Sequence, residues 1–140
     1  MKYLPLNDDL YRYLCAHRSG ATDPVLDELR RETGTLGDDS RMQISRDQGS
    51  FLTLLTAAIG ARTAIEVGGF EGWTSAHLAR GLKRLPWSTA LTVCEIDPTR
   101  AMHTQAVLDR VRGPRVACTV VCDDSHHWLP TLAPESVDFA

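Results

Sequence analysis

The chain has 140 residues, of which 43% are hydrophobic and 24% are charged, and its formal net charge is −3. This composition is typical of a globular domain and excludes a disordered or fibrous chain, and the length suits one domain with a single core. The slightly acidic balance gives no electrostatic attraction to nucleic acid or to anionic lipid, so we expect neither as a partner.

Two features exclude membrane and secretory classes at the level of the sequence. The longest mostly apolar run, residues 51–61, is too short to span a bilayer. Residues 1–5 are followed at once by Asn7, Asp8 and Asp9, so no apolar region of a signal peptide is present. We therefore expect a cytoplasmic domain outside the membrane.

The first part of the chain predicts helices interrupted by glycines. Residues 10–14 begin an apolar stripe, and a second helix starts at Pro24, with Asp23 as its N-cap. Gly34 and Gly37 end that helix, and residues 38–40 are predicted to form a loop. We expect residues 1–46 to form a helical cap, because their apolar face is too small to stand alone.

From Asp47 onwards the pattern alternates between helices and strands. Asp47 is predicted to cap a helix that ends near Gly60, with Phe51, Leu52, Leu55 and Ile59 on one apolar face. Further helices are predicted at residues 74–82 and 98–111, with a short helical turn at 126–132. Strands are predicted at residues 63–67, 90–94, 115–121 and 136–140.

Strands that alternate with helices predict right-handed crossovers and a parallel sheet. We therefore predict an α/β fold, a Rossmann-like doubly wound parallel sheet with N-terminal helices. In this prediction the sheet is truncated at the start of the fourth strand. Residues 47–140 form the ligand-binding unit in this interpretation.

A glycine-rich turn follows the first predicted strand, where ligands bind in such sheets. The dinucleotide pattern G-x-G-x-x-G is not met, because Phe70 and Trp73 stand where it needs glycine. Instead, Glu66 precedes Gly68 and Gly72. A carboxylate in this place repels a pyrophosphate and attracts a cation, which argues against NAD and FAD.

A second acid, Glu95, ends the second predicted strand, close to the spacing of roughly 20 residues at which such folds place a ribose-binding acid. A carboxylate can accept hydrogen bonds from both ribose hydroxyls. A nucleoside that carries a sulfonium rather than phosphates suits both acids, and S-adenosylmethionine is the common cofactor of that description. In the alternative interpretation, Glu66 caps the following turn and Glu95 is a solvated residue at the strand end.

The cysteines and histidines give weaker signals. The four cysteines contain no Cys-x-x-Cys pair, which favours reduced thiols. His126 and His127 are direct neighbours, and a metal site formed by them with Asp123 and Asp124 is the less favoured interpretation. We predict no metal ligand in the chain.

Three motifs resemble one known family. Residues 66–75, EVGGFEGWTS, resemble the E-[IVL]-G-[TA]-[FY]-x-G-[YW]-[ST] signature of class I O-methyltransferases of the caffeoyl-CoA/catechol type. Residues 94–98, CEIDP, are similar to that family's E-[IL]-[DN]-P element, and residues 42–52 to its M-x-[IV]-x-x-x-[QE]-G-x-x-L entry segment. The stretch from Ala16 to Leu26 is similar to the N-terminal helices of bacterial members.

The resemblance implies a set of cofactor-binding residues for S-adenosylmethionine. Two would line the methionine end, the glycine turn would hold the amino-acid moiety, and the later residues would bind ribose and adenine. In chain order they are Met42, Ile44, Glu66, Gly68, Gly69, Phe70, Gly72, Thr74, Ser75, Glu95, Ile96, Asp124 and Ser125. Cys122 stands where the family's adenine-edge segment has glycine, so Asp123 remains an alternative to the preferred pair Asp124 and Ser125.

The resemblance also implies an activity, the transfer of a methyl group to a hydroxyl of a catechol-like or other small molecule. Members of the family usually use a divalent cation such as Mg²⁺, whose ligands and catalytic residues we expect beyond Ala140. Asp138 matches an outer acid of the family that is more often structural. We expect this chain alone to be inactive, and a homodimer to form through an exposed sheet edge. The alternative is a non-catalytic remnant that binds S-adenosylmethionine or dimerises.

Overall fold

The computed structural model describes residues 5–18 and 23–140. Residues 1–4, on which the expectation about a signal peptide partly rests, and residues 19–22, within the stretch similar to bacterial N-terminal helices, lie outside the described residues. Within the described ranges, no helix has the length and apolar character that crossing a membrane requires.

The N-terminal part contains helix α1, Asp8–His17, helix α2, Pro24–Thr33, and a 3-10 helix, Gly37–Met42. Asp23 caps α2 as predicted, since its side chain accepts hydrogen bonds from the N–H groups of Val25 and Leu26. The loop predicted at 38–40 is wrong, because those residues lie inside the 3-10 helix.

Helix α3, Arg46–Ala58, begins two residues earlier than predicted, because its N-cap is Ser45 rather than Asp47. The Ser45 hydroxyl accepts the N–H of Gln48, while the Gln48 side chain accepts the N–H of Ser45. This reciprocal capping box satisfies two terminal N–H groups at once, which a cap at Asp47 does not.

The predicted apolar face of α3 is only partly right: Leu52 packs, partly buried, against the core, but two of the other predicted residues are exposed. Phe51 and Ile59 are 59% and 49% exposed, whereas Gly49, Thr53 and Thr56 are buried. The reason is close packing of α3 on the next helix, where a Cβ added to Gly81 would lie 2.7 Å from the Thr53 carbonyl oxygen. Only small side chains fit there.

The sheet consists of three parallel strands in the order β1, Thr63–Val67, β2, Thr89–Glu95, and β3, Val116–Cys122. Helix α4, Trp73–Leu82, joins β1 to β2, and helix α5, Pro98–Val111, joins β2 to β3. Helix α6, Ser125–Trp128, and a 3-10 turn, Leu129–Thr131, follow β3. The predicted strands and helices of this unit agree with the structure to within one residue at most ends.

The predicted fourth strand is reduced to a single parallel bridge between Ala64 and Phe139 on the free side of β1. Glu135, with φ of 56°, turns the chain just before this approach, so only Asp138 and Phe139 bond with β1. The sheet nevertheless has β2 on one side of β1 and Phe139 on the other.

Side chains from the two faces of the sheet enter two separate apolar clusters. Ala64, Leu91 and Val93 belong to the main core, together with buried residues of α2, α4 and α5. Ile65 and Cys94 point to the opposite face, where they pack with Trp128 of α6. Helices therefore cover both faces, as a doubly wound sheet requires.

Gly49 offers a test of this packing. A methyl group there would lie 2.5 Å from ring atoms of His77, which is 2% exposed and within 3.0 Å of the Thr53 hydroxyl. Although Gly→Ala in a helix usually gains about 1 kcal/mol, this overlap costs about 1–3 kcal/mol. We expect Gly49→Ala to lower the free energy of unfolding in urea.

The comparison variant is Gly113→Ala, where the added methyl would lie 2.9 Å from Cγ of Lys83, a side chain that can rotate away, so a smaller loss of stability is expected. A Gly49→Ala variant that melts at or above the temperature of the parent chain would contradict the proposed contact between α3 and α4.

Candidate functional site

The carboxyl ends of the three strands lie at one edge of the sheet, because the strands are parallel. The register pairs Val67 with Cys94 and Glu95 with Cys122, so the chain leaves each strand at nearly the same level. β1 lies between β2 and the bridge at Phe139, which makes this edge the switch point of the sheet. Open α/β sheets bind ligands at such a point.

The glycine turn between β1 and α4 contains three residues with positive φ: Gly68 at 86°, Phe70 at 49° and Gly72 at 76°. A Cβ added to Gly68 would meet nothing within 4 Å, so the backbone there is open to a ligand. Gly69 has a different role, since a Cβ there would lie 2.8 Å from Val93. Gly72 is the N-cap of α4 and packs against Val107.

Glu95 is held in a fixed orientation at the end of β2. It is 6% exposed, its Oε2 accepts the N–H of Phe70 at 2.8 Å, and its Oε1 accepts the N–H of Asp97 at 3.0 Å. The alternative of a solvated strand-end residue is therefore wrong. Each carboxylate oxygen retains capacity to accept a further hydrogen bond.

Glu66 lies at the end of β1 and faces the first turn of α4. The hydroxyl of Ser75, which is fully buried, donates to Glu66 Oε2 at 2.5 Å. Although Glu66 keeps some exposed surface, protein atoms surround its carboxylate, and this desolvation raises its pKa to about 8. The Ser75 hydrogen bond opposes the rise and the negative charge of Glu95 adds to it.

Two cavities flank the end of β1 and meet at Val67 and Gly68. One, of about 150 Å³, lies above β2 and β3 and is lined by five of the predicted site residues: Gly68, Glu95, Ile96, Asp124 and Ser125. The other, of about 370 Å³, lies between β1, α3 and α4 and contains five predicted residues: Met42, Ile44, Glu66, Gly68 and Thr74. The structure thus brings nine of the thirteen predicted residues to one continuous surface.

The other four predicted residues line neither cavity. They are Gly69, Phe70, Gly72 and Ser75. Phe70 acts on the site through its N–H to Glu95, and Ser75 through its hydroxyl to Glu66.

Sequence reasoning missed Val67 and Cys94, which also line the smaller cavity, and Asp123, the alternative to Asp124 and Ser125 at the adenine end, lines it as well. Val67 and Cys94 are paired at the ends of β1 and β2. Each directly precedes a predicted site residue, Gly68 or Glu95, and this position in the sequence could have identified them. Asp123 follows β3 directly, and its carbonyl oxygen accepts a hydrogen bond from the Cys94 thiol at 3.2 Å.

Asp124 and Asp138 both have local structural partners. Asp124 is the N-cap of α6 and accepts the N–H of His126 at 2.8 Å. Asp138 accepts the N–H groups of Arg62 and Thr63 at 2.8 and 2.9 Å, which fastens the chain to the start of β1. These backbone hydrogen bonds hold the pKa of Asp138 below its usual range.

A larger cavity of about 490 Å³ lies near the C-terminal ends of α4 and α5, away from the strand ends. Two of its cations already have anionic partners within the chain: Arg80 pairs with Asp23, and Arg110 pairs with Glu28 at 2.7 Å. The switch-point edge, where the open backbone and the two acids converge, is therefore the better candidate site.

Comparisons with known proteins agree with this geometry. A family model described as O-methyltransferase matches residues 16–132. Over 93 residues the chain is 37% identical to a catechol O-methyltransferase of Mycobacterium tuberculosis, a match that spans 66% of this chain and 40% of that protein.

Solved structures show the same fold. A cofactor-bound protein of MTB aligns with a TM-score of 0.75 at 28% identity, over 97% of this chain and 60% of that one. An SAH-bound methyltransferase of Podospora anserina aligns with a TM-score of 0.75 at 20% identity, over 96% of this chain and 58% of that one.

The chain thus spans 40–60% of the length of these proteins. The structural neighbours confirm the predicted Rossmann-like α/β fold. By the match of the family model to most of its residues, this chain belongs to the O-methyltransferase family.

Proposed function

We propose that this chain binds S-adenosylmethionine and forms the cofactor-binding part of an O-methyltransferase that acts on a hydroxyl of a catechol-like or other small molecule. The observation that carries the proposal is the placement of Glu66 and Glu95 at the ends of adjacent strands, on either side of the open backbone at Gly68. The catechol O-methyltransferase relative and the cofactor-bound and SAH-bound neighbours support it.

In this proposal, the smaller cavity takes the adenosine end of the cofactor. The carboxylate of Glu95, already oriented by two backbone N–H groups, accepts hydrogen bonds from the ribose hydroxyls. Ile96 is 67% exposed and offers an apolar surface to the adenine ring. Asp124 and Ser125 border the same cavity and face the edge of the base.

The larger of the two site cavities takes the methionine end. Glu66 lies on its wall and pairs with the ammonium group of the cofactor once it is ionised. Met42 and Ile44 supply apolar contacts near the sulfur, and the Thr74 hydroxyl lies within the same cavity for the carboxylate. The bound cofactor supplies the methyl group on its sulfonium, and the residues described here bind and orient it.

The family's divalent cation does not fit the described residues alone. Within residues 5–18 and 23–140, no three His, Cys, Asp or Glu side chains lie together in a way that would hold a metal ion. A Mg²⁺ site therefore belongs to the proposal for the whole protein, and no step is derived from it.

Three further parts of the proposal rest on the sequence. They are a cytoplasmic location, a homodimer, and the division into a helical cap, residues 1–46, and an S-adenosylmethionine-binding unit, residues 47–140. The boundary at residue 46 divides the sequence and not the core, because Leu26 and Leu29 of α2 pack in the main cluster of the second unit.

The first test is binding of S-adenosylhomocysteine, measured by calorimetry. We expect the parent chain to bind, and Glu95→Ala to weaken binding by about 1–3 kcal/mol, because the charged hydrogen bonds to ribose are lost. The control is Asp9→Ala, which removes an exposed carboxylate that pairs with Arg12 on α1. A parent chain that does not bind would overturn the proposal, and equal binding by Glu95→Ala would overturn the ribose assignment.

The second test uses the raised pKa of Glu66, which is about 8 in the free chain. Below that pH the carboxyl carries a proton, whereas the ammonium group of the ligand favours the ionised form. Binding at pH 7 is therefore expected to release a proton, and affinity is expected to rise between pH 6 and pH 8. Calorimetry in phosphate and in Tris measures the released proton from the difference in apparent enthalpy, and Glu66→Gln should abolish it.

The same pKa predicts how stability depends on pH. Because the folded pKa of about 8 lies above the unfolded value of 4.5, the folded chain binds the extra proton between these values. The contribution of this group to stability is therefore constant and fully present below pH 4.5, and it is lost progressively as the pH rises from 4.5 through 8. At pH 8, Glu66→Gln should be more stable in urea than the parent by on the order of 2 kcal/mol, and a variant of lower stability would contradict the buried carboxyl.

A further inference from the structure

Arg100 lies in the first turn of α5 and lines neither site cavity. It contacts two segments that do line them, the glycine turn after β1 and the 3-10 helix Gly37–Met42. Its guanidinium carbon lies 4.5 Å from the centre of the Phe70 ring, and its NH2 group lies 3.2 Å from Oδ2 of Asp39. Its Nε lies 3.8 Å from Oε1 of Glu71. One half-buried side chain thus links the glycine turn to the N-terminal 3-10 helix.

Phe70 is the residue through which this link reaches the ribose end. It adopts φ of 49°, a conformation that a bulky residue rarely holds without support. In this conformation its N–H donates to Glu95 Oε2 at 2.8 Å. Its carbonyl oxygen accepts the Thr104 hydroxyl at 3.2 Å, and Arg100 covers its ring.

Asp39 is the residue through which the link reaches the methionine end. It lies in the 3-10 helix Gly37–Met42, whose last residue lines the larger site cavity. The ion pair with Arg100 connects this helix to α5, three residues after the N-cap Asp97.

We propose that Arg100 is a positioning residue that serves both ends of the cofactor site: it supports Phe70, which orients Glu95, and it fastens the 3-10 helix that presents Met42. This inference rests on the proposed function. Arginine suits the role because its planar group can stack on a ring and pair with carboxylates at its edge, which lysine does less well.

The test compares two ligands in calorimetry: adenosine, which occupies only the ribose end, and S-adenosylhomocysteine, which occupies both. We expect Arg100→Met to weaken both ligands, by about 5-fold to 20-fold for S-adenosylhomocysteine, and Arg100→Lys to restore part of the loss. Asp39→Asn should weaken S-adenosylhomocysteine by about 3-fold and leave adenosine unchanged, because Asp39 acts only at the methionine end. The control is Arg12→Met, which removes an exposed guanidinium paired with Asp9.

The outcomes separate this inference from the function on which it rests. If the parent chain and Arg12→Met bind neither ligand, the proposed function is wrong, and so is the role of Arg100 that rests on it. If the parent chain and Arg12→Met bind, and Arg100→Met binds each ligand as tightly as the parent chain does, only the proposed role of Arg100 is wrong. Should Arg100→Met fail to fold, Asp39→Asn decides, since an equal loss for both ligands, or no loss for either, overturns the inference.

Discussion

The hydrogen bond from the Phe70 N–H to the Glu95 carboxylate is the interaction on which the site depends. It spans 2.8 Å between the turn after β1 and the end of β2, two places that the parallel register brings together. The N–H lies in the peptide plane that joins Gly69 to Phe70, and the positive φ of Phe70 sets the direction in which the chain leaves this plane towards Gly72 and α4. The strained residue therefore converts two neighbouring strand ends into one oriented site.

The glycines of the turn serve this interaction in different ways. Gly68 keeps the backbone open, Gly69 allows close packing against Val93, and Gly72 allows α4 to begin at a left-handed residue beside α5. A sequence pattern presents them as one glycine-rich motif. The structure separates the glycine that a ligand can approach from the two that the core requires.

Much of the fold could be predicted because its signals are local. Buried strands, the Asp-Pro starts of α2 and α5, and the glycine turn each lie within a few residues of sequence. The buried face of α3 could not be read in this way. Its apolar residues at Phe51 and Ile59 gave the stronger pattern. Close contact with α4, at His77 for Gly49 and at Gly81 for Thr53, selects small residues instead. The sequence predicts both helices, but it does not show which face of one packs on the other.

Placement of site residues followed from topology, whereas their chemical state did not. Parallel strands must end at one edge, so Glu66 and Glu95 could be predicted to meet. The protonation of Glu66 depends on how many atoms surround its carboxylate and on the hydroxyl of Ser75, which are properties of the packed structure. Likewise, the capping box at Ser45 and Gln48 was visible in the sequence, but Asp47 competed with it as a cap.

The two acids of the site differ in their surroundings, and this difference has a chemical consequence. Glu95 has two backbone N–H donors, whose positions are fixed by the chain, while Glu66 has one hydroxyl donor and little contact with water. A proton on Glu66 removes one of two negative charges that would otherwise face each other across the turn. A cationic ligand group can replace that proton and pair with the carboxylate. A neutral ligand or an anion cannot make the exchange, so the pair of acids favours a ligand group that carries positive charge.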